Sequence, residues 1–178
     1  MKPRVLAGLL TLALVPAAAG AASLGLGVYG GVSFPLVYDT ASQGPQYGLR
    51  APIHLIPLLI VEPYFAKSAL GDKDETFGGQ TYTRSGPDVD TFGANALFNF
   101  GGSVKFYPFL GIGSTTIEQS GSADVTDTNL NFGVGLGFAP IPKLGVDLRA
   151  ELNSVVTGDT SRKFGNLTVG VSYALFGF

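Results

Sequence analysis

The chain has 178 residues, of which 46% are hydrophobic and only 13% charged, and its formal net charge is −2. A soluble domain carries about 25% charged residues, so this composition argues against a chain surrounded by water on every side, and the negative charge argues against a nucleic-acid partner. The length suits one domain, and the lack of cysteine excludes a disulfide scaffold and a lipoprotein anchor.

Residues 1–22 have the pattern of a secretory signal peptide. Lys2 and Arg4 precede an apolar run, and small residues follow it up to Ala22. The apolar run has about 11 residues, whereas a membrane-spanning helix needs about 20. The sequence therefore predicts a signal peptide over 1–22, one domain over 23–178 and no transmembrane helix.

Eight stretches of period-two alternation follow, and each predicts a β-strand of about 10 residues, the length that crosses a bilayer when tilted. They cover, approximately, residues 24–34, 46–56, 59–67, 89–100, 104–118, 130–138, 144–153 and 167–175. Polar loops are predicted at about 35–45, 69–88, 119–127 and 157–163, and short turns at Pro57, at Gly101–Gly102 and over 139–142. Loops and turns alternate strictly, which predicts an up-and-down meander with both termini at the short-turn end.

Two features of these strands predict local irregularity. Pro52 and Pro63 remove backbone donors from adjacent strands, which predicts a bulge or a local edge there. Phe176 and Phe178 have the opposite parity from Leu175, so a bulge or an overhang must absorb the slip.

The sixth and seventh strands show which face of the sheet is which. Large apolar residues occupy one parity: Leu130, Phe132, Val134, Leu136 and Phe138, then Leu144, Val146, Leu148, Ala150 and Leu152. Small or polar residues occupy the other: Asn131, Gly133, Gly135 and Gly137, then Gly145, Asp147, Arg149, Glu151 and Asn153. The interior of an eight-stranded barrel is only just wide enough for ordinary side chains, so the bulky face would overfill it. The pattern predicts an all-β, eight-stranded antiparallel up-and-down transmembrane β-barrel with its apolar face in lipid.

The run from Phe106 to Gly113 resembles the Pro-Tyr-x-Gly-x-Gly strand of the small bacterial outer-membrane β-barrel family, which contains the OmpA barrel and OmpW-type proteins. The segment from Asn131 to Leu152 is similar to that family's penultimate hairpin. The resemblance covers the mature chain and implies secretion to the periplasm, localisation in the bacterial outer membrane and contact with its lipids. It also implies insertion by the outer-membrane assembly machinery, which reads a terminal strand ending in an aromatic residue such as Phe178. The apolar residues before Phe178 are out of phase with that signal.

The predicted lumen face carries three charges of each sign and one histidine: Arg50, Lys105 and Arg149, Glu62, Asp147 and Glu151, and His54. In a narrow lumen, unpaired charges are costly, so we expect a charge network that plugs the barrel. A conducting or gated lumen is the alternative. The inward glycines leave space that could hold a file of water molecules. Alternatively, the aromatic rings of Tyr29, Tyr64, Tyr107 and Phe109 pack over these glycines, and we favour this second arrangement.

Catalysis and metal binding receive little support. A lipid-modifying enzyme of the deacylase type would place a serine and a carboxylate beside His54, and no hydroxyl residue is close to it in the sequence. The acidic run at Asp72, Asp74 and Glu75 lacks the ligand spacing of a calcium loop. We predict a non-enzymatic barrel without cofactor or metal that has a structural or surface-interaction role through its external loops. The alternative is a narrow channel for small or hydrophobic solutes, as the OmpW-type resemblance allows.

Overall fold

The computed structural model describes residues 23–37, 41–121, 123–157 and 160–176. Their strands are β1 (Ser23–Val37), β2 (Gly44–Arg50), β3 (Ile53–Ile56), β4 (Leu59–Ala69), β5 (Lys73–Phe77), β6 (Gln80–Arg84), β7 (Asp88–Phe98), β8 (Phe100–Gly101), β9 (Val104–Glu118), β10 (Val125–Ile141), β11 (Leu144–Thr157) and β12 (Thr160–Phe176). Over these ranges, no helix is long and apolar enough to cross a membrane. The predicted signal peptide and Phe178 lie outside the described residues.

All strands except β5 and β6 form one antiparallel sheet that closes into a barrel, because β1 pairs with β12. β3 continues the course of β2 past Ala51 and Pro52, and β8 continues that of β7 past Asn99. In cross-section, the described wall therefore has eight strands. The predicted fold class is confirmed.

The two faces of the wall are also as predicted. Val134 is 45% exposed, whereas Arg149 on the neighbouring strand is 8% exposed. A belt of exposed apolar side chains surrounds the barrel and includes Leu26, Val28, Leu49, Phe92, Leu110, Ile112, Phe132, Leu136, Leu148, Leu167 and Val169. Because successive side chains of a strand point to opposite faces, this belt leaves the small and polar residues in the lumen.

The connections define two ends. We call the end with Pro57–Leu58, Gly102–Ser103 and Pro142–Lys143 the turn end, and the end with residues 41–43, 70–87, 119–121 and 123–124 the loop end. The predicted turn over 139–142 is too long, because β10 continues to Ile141, which pairs with Leu144. Lys143, with a φ of 71°, adopts the left-handed conformation that closes this tight turn.

The fourth predicted loop, over 157–163, is wrong. β11 runs to Thr157, which pairs with Thr160 of β12, so residues 160–163 belong to the wall. The polar residues of this stretch indicated a loop. A strand that extends beyond the apolar belt is outside the membrane, however, so polar residues are compatible with it. β10 and β12 therefore reach 17 residues, well beyond the predicted lengths.

The remaining irregularities have identifiable causes. The sequence predicts a bulge or a local edge at Pro52 and Pro63. The second strand is interrupted at Ala51 and Pro52, which confirms an irregularity there, whereas Pro63 lies within an uninterrupted β4, so the prediction is wrong at Pro63. Leu24 pairs with Phe176 and Gly25 with Ala174, so the register shift at Leu175 absorbs the predicted slip. The predicted loop over 69–88 is not irregular throughout, because β5 and β6 form a hairpin within it.

Candidate functional site

The middle of the lumen is crossed by a cluster of four charged side chains. Arg149 of β11 donates two parallel hydrogen bonds to Glu62 of β4, Nη1 to Oε1 at 2.5 Å and Nη2 to Oε2 at 2.9 Å. Both residues are buried, with exposed fractions of 8% and 1%. A two-point contact between guanidinium and carboxylate is the strongest common form of this pair, and it joins opposite walls of the barrel.

A second arginine completes the cluster. Arg50, at the end of β2, donates from Nη1 to Oδ1 of Asp147 at 3.1 Å, and its Nη2 contacts Oδ2 of the same carboxylate. Asp147 also accepts a bond from Arg149 Nε at 3.2 Å, and Arg50 Nε lies 3.9 Å from Glu62 Oε2. The two cations and two anions therefore alternate in a closed ring with no net charge. We call these four residues the ion-pair cluster.

Aromatic rings cover the arginines. The guanidinium carbon of Arg149 lies 5.2 Å from the ring centre of Tyr107 and 5.5 Å from that of Phe109, and Arg50 lies 5.6 Å from Tyr29. Arg149 Nε also donates to the Tyr107 hydroxyl at 3.1 Å. These contacts shield the charges while offering them π faces and a polar acceptor.

The inward glycines make room for these rings, as predicted. A Cβ atom at Gly135 would lie 2.3 Å from the Tyr107 ring, and one at Gly133 would lie 2.5 Å from the Phe109 ring. On β12, two strands away from β10, a Cβ at Gly170 would collide with the Arg50 guanidinium. A side chain at Gly133 or Gly135 would displace an aromatic ring, and one at Gly170 would displace Arg50 of the ion-pair cluster. The predicted packing of aromatics over strand glycines is confirmed.

Amides and hydroxyls form the next layer toward the loop end. Asn131 donates to Asn95 at 2.8 Å, and Asn129 donates to Asn153 at 2.9 Å. Glu151 accepts a bond of 2.5 Å from Asn153 and lies 3.5 Å from Asn166. Glu151 is therefore held by amides, outside the ion-pair cluster in which the sequence placed it.

An apolar layer closes the lumen at the loop end. We call it the apolar cap; its buried members are Ala41, Leu70, Val89, Ile117, Val155 and Phe164. Two voids between the cap and the ion-pair cluster have volumes of about 20 and 10 Å³, space for about one water molecule each. Charge, amide and hydrocarbon layers thus fill the described lumen in succession from the ion-pair cluster to the loop end.

The family of this chain is assigned from a match that covers nearly all of its residues. A family model described as "Outer membrane protein beta-barrel domain" matches residues 5–174. The chain belongs to this family. The predicted localisation in the bacterial outer membrane is thereby confirmed, and in such barrels the short turns face the periplasm and the longer loops face outward.

Solved structures of outer-membrane barrels have the same fold. Neisserial surface protein A (NspA) matches with a TM-score of 0.64 and 16% identity over 87% of this chain and 99% of its own. A major outer membrane protein from Thermus thermophilus matches with a TM-score of 0.61 and 14% identity over 87% and 100%. Ail, the attachment invasion locus protein of Yersinia pestis, matches with a TM-score of 0.51 and 20% identity over 88% and 99%. No curated protein matches the sequence.

The other two predicted members of the charge network lie at the periplasmic end of this outer-membrane barrel. A vestibule of about 380 Å³ opens there, and His54 and Lys105 line it. Lys105 is exposed, and His54 Nδ1 is buried without a hydrogen-bond partner among the described residues. Neither residue joins the ion-pair cluster, which forms the floor of the vestibule. A deacylase-type triad needs a carboxylate bonded to the imidazole, and His54 lacks one at Nδ1.

The apolar cap is the part of the lumen that sequence reasoning missed, because the lumen was expected to be small and polar. Val89, Ile117 and Val155 all have the same parity as inward polar residues of their strands. Val89 and Ile117 lie within the predicted strands, so their parity already placed them inside, and extending the parity of the seventh strand past its predicted end would have placed Val155 there too. The predicted polar lumen is thus correct for the middle of the barrel and wrong for its outer end. Within the described ranges, no group of residues has the arrangement of a metal site.

Proposed function

We propose that this protein is a closed, non-enzymatic outer-membrane barrel that acts at the cell surface through its external segments. The ion-pair cluster carries this proposal. Arg149 and Glu62 join opposite walls, and the two voids above them hold about one water each, so the described residues close this section of the lumen to solutes. The external end, in contrast, carries a projecting hairpin, β5–β6, that takes no part in the barrel wall.

The charge of the loop end constrains the partner. The described acidic side chains there outnumber the basic ones: Asp72, Asp74, Glu75, Asp88, Asp90, Glu118, Asp124 and Asp127 against Lys67, Lys73, Arg84, Arg162 and Lys163. Ail has been solved in complex with the heparin analogue sucrose octasulfate. A polyanion of that type is not the partner that we propose here, since this surface would repel it.

Attachment of cells tests the surface role. Cells that display the protein are compared with cells displaying a variant in which residues 73–84 are replaced by two glycines. We expect attachment to surfaces coated with serum proteins to require the hairpin. A matched control is Lys143→Gly, which alters a periplasmic turn and retains its left-handed backbone conformation. Equal attachment by all three proteins would refute the surface role.

Electrical measurements test the closed lumen. The periplasmic vestibule is the feature that favours the alternative, a narrow channel for small or hydrophobic solutes. We expect the purified barrel to insert into planar bilayers without discrete conductance steps, because the ion-pair cluster ends the vestibule. Reproducible single-channel openings at low voltage would favour the channel instead.

A further inference from the structure

The external hairpin is a regular two-stranded sheet with a defined turn. Gly78 and Gly79 join its strands with φ values of +60° and +82°. Positive φ at both central residues is the geometry of a type I′ turn, which matches the twist of the strands it joins. The hairpin therefore has a specified register, with Phe77 opposite Gln80 and Lys73 opposite Arg84.

The base of the hairpin is fixed to the barrel rim. Ser42 and Gly71 exchange backbone hydrogen bonds of 2.9 and 3.2 Å, and Leu70 N donates to Pro87 O at 3.1 Å. Gly86 N donates to the Asp72 carboxylate at 3.1 Å. Leu70 itself belongs to the apolar cap, so the segment that leads into the hairpin is anchored in the lumen.

Glycine makes this anchoring possible at two points. A Cβ atom at Gly71 would lie 2.4 Å from the Ser42 hydroxyl, and one at Gly86 would lie 2.1 Å from the Leu70 carbonyl oxygen. A side chain at Gly71 would push this segment away from residues 42–43, and one at Gly86 would separate the segments that enter and leave the hairpin. The hairpin is thus held in place before any partner arrives, which lowers the entropy cost of binding.

Both outer edges of the hairpin have unused backbone groups. In a two-residue hairpin, the pair next to the turn exchanges both backbone hydrogen bonds, and such pairs then alternate along the ladder. The bonded pairs here include Phe77 with Gln80 and Glu75 with Tyr82. The N–H and C=O groups of Thr81 and Thr83 therefore point away from β5, and β6 pairs with no other strand in the described ranges.

The two edges differ in their protection against further pairing. β5 carries three charged residues, Lys73, Asp74 and Glu75, which is a common way to block strand addition. β6 has four uncharged residues, rich in the types that favour strands, and then Arg84. All five residues of β6 are exposed. The edge of β6 is therefore the one that can pair with a further strand.

We propose that the outer edge of β6 binds an extended segment of a partner protein as a third strand. This inference rests on the proposed surface function and specifies its partner. Backbone groups of Thr81 and Thr83 would supply the ladder, which gives affinity without demanding one sequence. Tyr82, fixed by its 2.7 Å bond to Gln80, offers an aromatic surface on one face, and Arg84 on that face favours a segment with a nearby carboxylate.

A pair of proline substitutions tests the edge. Thr83 and Asp74 lie opposite each other, and Thr83 Oγ1 donates to Asp74 Oδ1 at 2.7 Å. Thr83→Pro and Asp74→Pro remove this same side-chain bond and each place a proline at the same rung. They differ in the outer edge that loses its N–H group, because neither N–H belongs to the β5–β6 ladder, and Asp74→Pro in addition removes one negative charge.

The probe is a fluorescent peptide of alternating threonine and valine that ends in glutamate, with both its terminal amino and carboxyl groups capped. Its fluorescence anisotropy is measured in the presence of the full-length barrel in detergent micelles. We expect binding to the unchanged protein, a loss of affinity of about tenfold or more in Thr83→Pro, and little change in Asp74→Pro. A heat-dependent gel shift verifies that both barrels are folded.

Several outcomes would overturn the proposal: equal losses in both variants, no effect of Thr83→Pro, no binding to the unchanged protein, or association of two barrels through β6 without peptide. Failure here is distinct from failure of the surface role. If cells still require the hairpin for attachment although the peptide does not bind, strand addition is refuted and the surface role stands.

Discussion

The two faces of the barrel wall follow different rules. The lipid face is chemically uniform along its whole belt, and each side chain needs only to be apolar. The lumen face changes from charged to amide to hydrocarbon within one barrel, and each side chain depends on a particular partner across the lumen. The difference teaches that lipid accepts any apolar residue, whereas a filled lumen accepts only sets of residues that satisfy one another.

Removal of Glu62 tests this dependence most severely. Glu62→Ala leaves Arg149 buried without its two-point partner, and breaking a buried pair costs about 3–5 kcal/mol. We expect a loss of that size in urea unfolding of the barrel refolded into lipid vesicles. The double variant Glu62→Leu with Arg149→Leu should cost less, because it leaves no unpaired charge in this pair. An equal or larger loss in the double variant would show that the partners do not depend on each other.

A charge on the lipid face gives the next largest effect. Val134→Arg places a cation on the membrane side of β10, at a cost of about 2–4 kcal/mol near the bilayer midplane. We expect insertion to be blocked or strongly reduced, as measured by the heat-dependent gel shift. The matched control is Asn131→Ser on the lumen face of the same strand. It loses one hydrogen bond to Asn95, about 0.5–1.5 kcal/mol, and should still insert. Similar behaviour of the two variants would contradict the assignment of the faces.

The apolar cap gives the smallest effect. Ile117→Val removes one methylene from a side chain that is 3% exposed, which costs about 0.5–1.5 kcal/mol. Ile112→Val makes the same change on the lipid face of β9, where Ile112 is 59% exposed. Lipid can fill the space that the methylene leaves, so we expect a smaller loss of unfolding free energy there. A larger loss at Ile112 would mean that the cap is not a packed core.

The external hairpin shows where pattern reading reached its limit. A polar segment with four glycines predicted a loop, and its position between two barrel strands was correct. Its regular structure depends on Gly78 and Gly79 both taking positive φ and on the anchoring of Gly71 and Gly86 at the rim. Those contacts come from segments such as Ser42, far from the hairpin in sequence, so no local pattern reveals them.

The sequence by itself determined the barrel, the number of its strands and which side of each strand meets lipid, because side-chain direction alternates residue by residue and is a local property of the backbone. It also identified the charges of the lumen. Only the tertiary structure decided that Arg149 meets Glu62 and Arg50 meets Asp147, that Glu151 is held by amides, and that Lys105 lies in the vestibule. Partners across the lumen are set by strand tilt and register between residues 87 or 97 positions apart, and these quantities exist only once the sheet has closed.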